Sequence, residues 1–332
     1  MNLLQFIADD AAGALAQIHS QLGEAAVVVS VRQLPGEGMA RFLPGRKRIE
    51  VIAGVPDSEA PTPHPAPAAR RRKELPGSVG FTRNQSTSLW PSIARLESFG
   101  LAPDFAARLQ GELERLHGPA APADPDRESA LVRGLFSSQW KSPPALEADA
   151  LPRPHVFVGP PGSGKTTTLC KWLTREVLLE GRSAKVWRLD GNTANTAELL
   201  SIHCELLGVP LERFWSASIG PADWLFVDLP GIEAGEVPAL TALAGQLAAL
   251  GMPRVHLVLN AAYETSTLLA QWRTFSALQP EDVIFTHLDE VTSPVKLWSF
   301  LFGTNCSVSF LSGGQKIPGD FRAATPELFL PL

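Results

Sequence analysis

From residue 154 onward, short apolar runs alternate with stretches whose apolar positions recur every three or four residues. The runs at 154–158, 184–189, 224–228, 254–260, 282–287 and 306–312 are short and rich in β-branched and aromatic residues, which predicts strands. The periodic stretches near 164–180, 195–207, 236–250, 264–277 and 293–303 predict helices. Strand and helix in strict alternation imply a parallel sheet covered by helices, with ligands bound at the carboxyl ends of the strands. The fold class is therefore α/β for residues 151–332.

Upstream the pattern changes twice. Residues 89–150 carry helical periodicity: Leu89, Ile93 and Leu96 share one stripe, and Phe105, Leu109, Leu113 and Leu116 form a second. After a Pro-rich break at 119–125 come Leu131, Leu135, Phe136 and Trp140, so a helical domain of about three helices is predicted. Residues 56–88 are a basic linker, with Pro61, Pro63, Pro65 and Pro67 followed by Arg70 to Lys73. Such a composition buries too little apolar surface to offset chain entropy, and disorder is expected. Residues 1–55 read as a small α/β unit: a strand at Leu3 to Ile7, a helix capped by Asp9 or Asp10 and ended near Leu22, and strands at Val27 to Val31 and Arg48 to Ile52. The basic clusters at 46–48 and 70–73 suit either a solvated chain or contact with an acidic lipid surface.

Composition narrows the class of protein. The chain has 332 residues, enough for about two or three domains. A formal charge of −5 gives no reason to expect nucleic acid. Cys170, Cys204 and Cys306 are far apart and form neither a metal nor a redox motif, which fits a reducing cytosol. No apolar run reaches membrane-spanning length and the N-terminal segment lacks signal-peptide character, so a cytoplasmic protein is expected.

The chemistry begins where the first strand of the alternating region ends. Gly159-Pro-Pro-Gly162-Ser163-Gly164-Lys165-Thr166 fits the phosphate-loop pattern, entered by a strand and left by a helix. In such a loop the glycines let backbone N–H groups curl around a phosphate at the positive end of the helix dipole. Lys165 would neutralise β- and γ-phosphates, Thr166 would ligate Mg²⁺, and Thr167 extends the lining. The strand Trp224 to Asp228 ends in an acid followed by Leu229, Pro230 and Gly231. Alone, such an acid is most often a turn former. Beside a phosphate loop, Asp228 is a candidate to hold Mg²⁺ directly or through water, and Gly231 to meet the γ-phosphate.

Two further strand ends concern the base and the water. Val283 to Asp289 runs into Thr-His-Leu-Asp, and Asp289 can accept hydrogen bonds from N1–H and the 2-amino group of guanine. His287 would then stack along the base; an ordinary strand-to-helix cap is the alternative. Asp190 ends another strand and can face the γ-phosphate and an attacking water. Gly314 and Gln315 belong to a Gly-rich loop after the last strand that can close over the base.

Taken together, these motifs resemble the signal-recognition-particle GTPases, and within them the flagellar branch, FlhF. The order is that of the family: G-x-x-G-x-G-K-T-T-T at 159–168, the D-T-x-R-x-A-A-x-E-Q-L region at 190–200 and D-T-A-G-R at 228–232. T-K-L-D at 286–289 and G-Q-x-x-P-x-D at 314–320 follow. The N-terminal unit, with Gln21-Leu-Gly-Glu24 leading into a Val-rich strand, is similar to the segment peculiar to the flagellar branch. The resemblance implies a P-loop GTPase domain with a helical N domain, and a GTP-dependent homodimer using GTP and Mg²⁺. It further implies peripheral attachment to the inner face of the cell membrane, a MinD-type activator ATPase, and a part in flagellar placement and protein targeting.

The departures from the family lie around the reaction rather than the binding loop. Thr193 stands for the family's Arg, Leu199 for its Gln, Leu229 to Ile232 for T-A-G-R, and His287 for Lys. The chain between Gly208 and Asp228 is too short for the family's extra helix, and Ser218 to Pro221 reads as a loop. Slow hydrolysis is expected, since losing a charge-stabilising arginine costs about 10³-fold or more in rate. A non-hydrolysing interaction protein and an ATPase are the competing readings. A signal-recognition-particle or receptor role is not supported, because the three methionines provide no Met-rich segment.

Overall fold

The computed structural model describes residues 2–8, 11–23, 26–33, 49–55, 90–144, 152–189, 198–216, 222–233 and 235–331. The expected linker, the basic clusters, the caps Asp9 and Asp10, the loop at 218–221, and both Asp190 and Thr193 lie outside these residues.

The described N-terminal chain forms β1 (Asn2–Ala8), α1 (Ala11–Leu22), β2 (Val27–Gln33) and β3 (Ile49–Val55), with the strands in the antiparallel order β1-β3-β2. Each strand is longer than the apolar run alone predicts. The antiparallel ladder carries β1 to Ala8, β2 to Gln33 and β3 to Val55. The inner faces of α1 and the sheet, including Ala14, Ile18 and Val51, join one continuous apolar layer with the helix that follows the phosphate loop.

Three helices follow: α2 (Pro91–Ser98), α3 (Pro103–His117) and α4 (Pro125–Gln139), each with proline in its first turn, where a missing N–H costs nothing. Asp124 caps α4 by accepting from Asp126 N–H. Of the predicted stripes, Ile93, Leu96, Leu109, Leu113, Leu135 and Phe136 are buried, Phe105, Leu131 and Trp140 partly so, and Leu89 lies outside the described residues; Leu116 is 50% exposed because its turn runs off the end of the packed face just before Gly118.

The remaining chain gives β4 (Pro154–Val158), α5 (Lys165–Thr174), β5 (Ala184–Arg188), α6 (Glu198–Leu207), β6 (Leu211–Glu212), β7 (Trp224–Asp228) and α7 (Val237–Ala249). It continues through β8 (Arg254–Asn260), α8 (Thr265–Phe275), β9 (Asp282–Thr286), α9 (Lys296–Thr304), β10 (Val308–Ser312) and β11 (Phe321–Ala323). Eight strands form one sheet in the order β11-β10-β9-β8-β4-β7-β5-β6, parallel throughout except for the antiparallel edge strand β11. β6 and β11 were not predicted, being too short to show an apolar run. The helix expected over 164–180 widens into a π-turn at Arg175–Leu179, where Glu180 N–H reaches back to Arg175 O.

Two apolar layers sandwich the sheet. Helices α5 and α6 cover one face through Leu169, Trp172, Leu200 and Cys204. Helices α2 to α4 and α7 to α9 cover the other, where Phe136 packs edge-on against Trp298 with ring centroids 4.6 Å apart. The helical segment is tied to the sheet domain by polar bonds too: Ala102 N–H donates to Ser299 Oγ at 2.9 Å.

A chain of buried polar groups crosses the amino-terminal half of the sheet. Ser309 Oγ donates to Asp282 at 2.7 Å, and the same carboxylate accepts from His256 Nδ1 at 2.9–3.0 Å. His256 Nε2 in turn shares a hydrogen bond with His155 Nδ1 at 2.9 Å, the two rings stacked 2° from parallel. Burial, followed by the charges of its neighbours, pushes the His155 pKa well below the usual imidazole range.

Candidate functional site

A cleft of about 640 Å³ opens at the carboxyl ends of the central strands. The turn from β4 into α5 forms its floor. Gly159 has φ +146°, and a Cβ there would lie 2.4 Å from the carbonyl oxygen of Val258, so only glycine fits beside the neighbouring strand. Lys165 folds back over the loop and donates to Gly159 O at 3.2 Å and Pro160 O at 2.8 Å. Burial lowers its pKa to about 8, against the opposing pull of Asp228.

Asp228 ends β7 directly beside this helix. Both of its oxygens accept from Thr166 Oγ1, at 3.0 and 3.2 Å, and Arg188 Nη1 lies 3.6 Å from Oδ2. Burial raises the Asp228 pKa, while Thr166, Arg188 and Lys165 in turn favour its charged form. A hydroxyl and a carboxylate oxygen side by side at a phosphate loop are hard oxygen donors of the kind Mg²⁺ takes, completing its shell with phosphate and water. The residues fit the metal. Gly231 then brings the backbone close: a Cβ there would sit 2.6 Å from the backbone of Pro161 and 2.9 Å from Lys165 Nζ.

The far end of the cleft is built from β9 and β10. Thr286 Oγ1 donates to Ser163 O at 2.7 Å, fastening the β9 end under the phosphate loop. Its one hydrogen being spent there, it accepts from His287 Nδ1 at 2.9 Å. His287 is left-handed, at φ +55°, and turns the chain into a short 3₁₀ turn at Leu288–Glu290 that presents Asp289. Asp289 is exposed; Gly314 N–H donates to Oδ1 at 2.6 Å and is the first cause that lowers its pKa.

Lys171 holds this loop from the other side. It lies on the buried face of α5 and donates to Ser312 Oγ at 3.0 Å, Gly313 O at 2.5 Å and Gly314 O at 2.9 Å. Burial lowers its pKa, opposed by Asp320 and Asp289. Sequence reasoning missed Lys171, although a lysine inside the apolar run Leu169 to Leu173 was the signal. It also missed Arg188, hidden within a strand read only for its apolar pattern.

Of the sequence-predicted residues, Gly162, Gly164, Lys165, Thr166, Thr167, Asp228, Gly231, His287, Asp289, Gly314 and Gln315 line this one cleft. Gly159 lies beneath it. Ser163 differs from expectation: its hydroxyl is buried under the loop without a protein partner, and its N–H is given to Pro160 O at 3.3 Å. Leu199 lines the rim, 42% exposed, and its side chain has no hydrogen-bonding group to offer. Among the described residues no cluster of three or more His, Cys, Asp or Glu side chains could hold a metal by itself.

The fold has the architecture of the signal-recognition-particle GTPases, with a phosphate-loop motif at the floor of its cleft. The structure superposes on a crystal structure of FlhF complexed with GTP/Mg²⁺ at TM-score 0.65, with 22% identity, covering 73% of this chain and 97% of that one. It also superposes on chloroplast FtsY from Physcomitrella patens at TM-score 0.60, with 20% identity and coverage of 73% and 86%. Curated relatives include the flagellar biosynthesis protein FlhF of Pseudomonas aeruginosa, 27% identical over 263 residues, 75% of this chain and 58% of that protein. FlhF of Bacillus subtilis is 27% identical over 179 residues, 52% of this chain and 49% of that protein. The chain thus spans about half the length of these relatives. No family model matches it. The chain is thus similar in sequence to FlhF proteins and shares its fold with the signal-recognition-particle GTPases.

Proposed function

We propose that this chain is a GTP-binding protein of flagellar biosynthesis and placement that hydrolyses GTP slowly. The observation that supports the reading is the convergence of Lys165, the Thr166–Asp228 pair and Asp289 on one cleft from separate stretches of the chain. Lys165 would turn from the loop carbonyls to the β- and γ-phosphates, and Thr166 with Asp228 would hold Mg²⁺. Bound there, the metal would neutralise charge on the phosphate oxygens. Asp289 would accept from guanine once Gly314 gives up its hold on Oδ1.

Slow turnover follows from what the rim lacks. Leu199 offers no donor to a water, and the segment Leu229 to Ile232 replaces the family's Arg with an isoleucine that is 9% exposed and aimed into the apolar layer. Electrostatic stabilisation of the transferring phosphoryl group is thereby reduced.

The finer features rest on likeness to FlhF alone: a GTP-dependent homodimer, peripheral attachment to the membrane, action in protein targeting, and a MinD-type ATPase as activator. No helix among the described residues is long and apolar enough to cross a membrane. The experiment is a calorimetric panel of GTP, GDP, ATP and XTP, with turnover and light scattering on the same sample. Preference for GTP, slow phosphate release and a doubled mass with a non-hydrolysable GTP analogue are expected. Equal affinity for ATP and GTP would defeat the guanine assignment, and brisk unassisted turnover the slow-switch assignment.

A further inference from the structure

The cleft contains a cation that the phosphate-loop scheme does not use. Side chains alternate along β5, so Val186 and Arg188 share the face that packs toward α5. Val186 is buried in the apolar layer; two residues on, Arg188 emerges from that layer level with the first turn of α5. It is 6% exposed, lines the nucleotide cleft and stands 3.6 Å from the Asp228 oxygen that also accepts from Thr166 at 3.0 Å. A guanidinium is permanently charged and keeps this place at any physiological pH.

We infer that Arg188 shares with Mg²⁺ the work of balancing Asp228 and the nucleotide phosphates, so that nucleotide binding here depends only weakly on the divalent cation. The inference rests on the proposed reading of the cleft as a GTP site. Two electrostatic consequences run in the same direction. A positive charge beside Asp228 repels an incoming dication and weakens the metal's hold on that carboxylate. The same charge attracts the polyphosphate when no metal accompanies it, and a guanidinium matches phosphate oxygens with paired donors. Both effects shrink the ratio of the GTP dissociation constant in EDTA to that in saturating magnesium. Removing the charge enlarges the ratio. A purely structural role for Arg188, holding β5 against β7, would weaken both conditions alike and leave the ratio unchanged.

The test is calorimetric titration of the full chain with GTP, in magnesium chloride and in excess EDTA, for wild type, Arg188→Gln and Arg188→Lys. For wild type, EDTA should weaken binding by less than about tenfold; for Arg188→Gln by more than about tenfold, with the added loss confined to the EDTA arm. Arg188→Lys, which keeps the charge, should stay near wild type. Equal ratios for wild type and Arg188→Gln overturn the inference. Should circular dichroism show that Arg188→Gln is misfolded, Asp228→Asn carries the test. It removes the carboxylate that competes with the phosphates for the Arg188 charge, so its affinity in EDTA should hold or rise, and a fall overturns the inference. Wild type that binds no GTP in either condition defeats the GTP-site reading itself.

Discussion

The two ends of the cleft are built differently. At the phosphate end, Lys165 and Asp228 are 7% and 3% exposed, and every charge already has a protein partner: loop carbonyls for the lysine, Thr166 and Arg188 for the acid. At the base end, Asp289 stands in solvent and accepts from the backbone N–H of Gly314. Buried charges are tolerated only when compensated, so the phosphate end must be assembled as part of folding. The base end sits on short turns at the surface, and its bond to Gly314 is exchangeable for those of a ligand. Affinity is therefore expected to reside in the first region and discrimination between nucleotides in the second.

That division is most sharply broken by Lys165→Ala. Removing the charge that faces the phosphates should weaken GTP and GDP together by about a hundredfold or more, with thermal unfolding of the ligand-free protein little changed, as measured by calorimetry and circular dichroism. Gly159→Ala attacks the same end through the backbone. A methyl 2.4 Å from Val258 O at φ +146° should lower folding stability by about 2 kcal/mol or more in urea titrations, so a neutral result would mean the loop is looser than its packing.

At the base end, Asp289→Asn should weaken GTP by about tenfold and improve XTP, since an amide can donate to the oxygen that replaces the 2-amino group. Competition titrations with the two nucleotides measure the swap; an equal loss for both would contradict it. The smallest effect is one of pH. With the Lys165 pKa lowered to about 8, bound phosphate should pull it back up, so binding takes up a proton as pH rises through that value. GTP affinity should be flat below about pH 8 and fall by at most about tenfold per unit above it. Folding responds in the opposite sense. Because the folded-state value is depressed, the unfolded chain binds more protons above pH 8, and Lys165 makes the ligand-free protein more stable as pH rises toward the ordinary lysine value.

The same contrast explains which parts were readable in the chain. The floor of the cleft is contiguous in sequence, and its Gly-x-Gly-Lys-Thr spacing is dictated by one backbone path around a phosphate. Asp228 and Asp289 each follow a run of fully buried strand residues, so a strand end and an acid coincide visibly. Arg188 and Lys171 were not legible because each belongs to an element read for its apolar side, and their partners are 40 and 141 residues away along the chain. The strand β6 and the antiparallel β11 depend on ladder bonds to a neighbour rather than on a pattern of their own. Ser163 fits the spacing of the loop, yet its hydroxyl lies under it; spacing locates a residue on the loop but not the direction of its side chain.

The buried chain Ser309–Asp282–His256–His155 has a consequence for descent. Its four members sit on four adjacent strands, within an apolar layer containing Trp172 and Phe226, and each satisfies the next. Replacing Asp282, His256 or His155 alone strands a buried polar partner, at about 1–3 kcal/mol. Replacing all four with apolar residues of similar volume leaves no such orphan. Stepwise drift is therefore penalised where wholesale exchange is not, and the four positions are expected to pass between related chains as a linked block, inherited or discarded together.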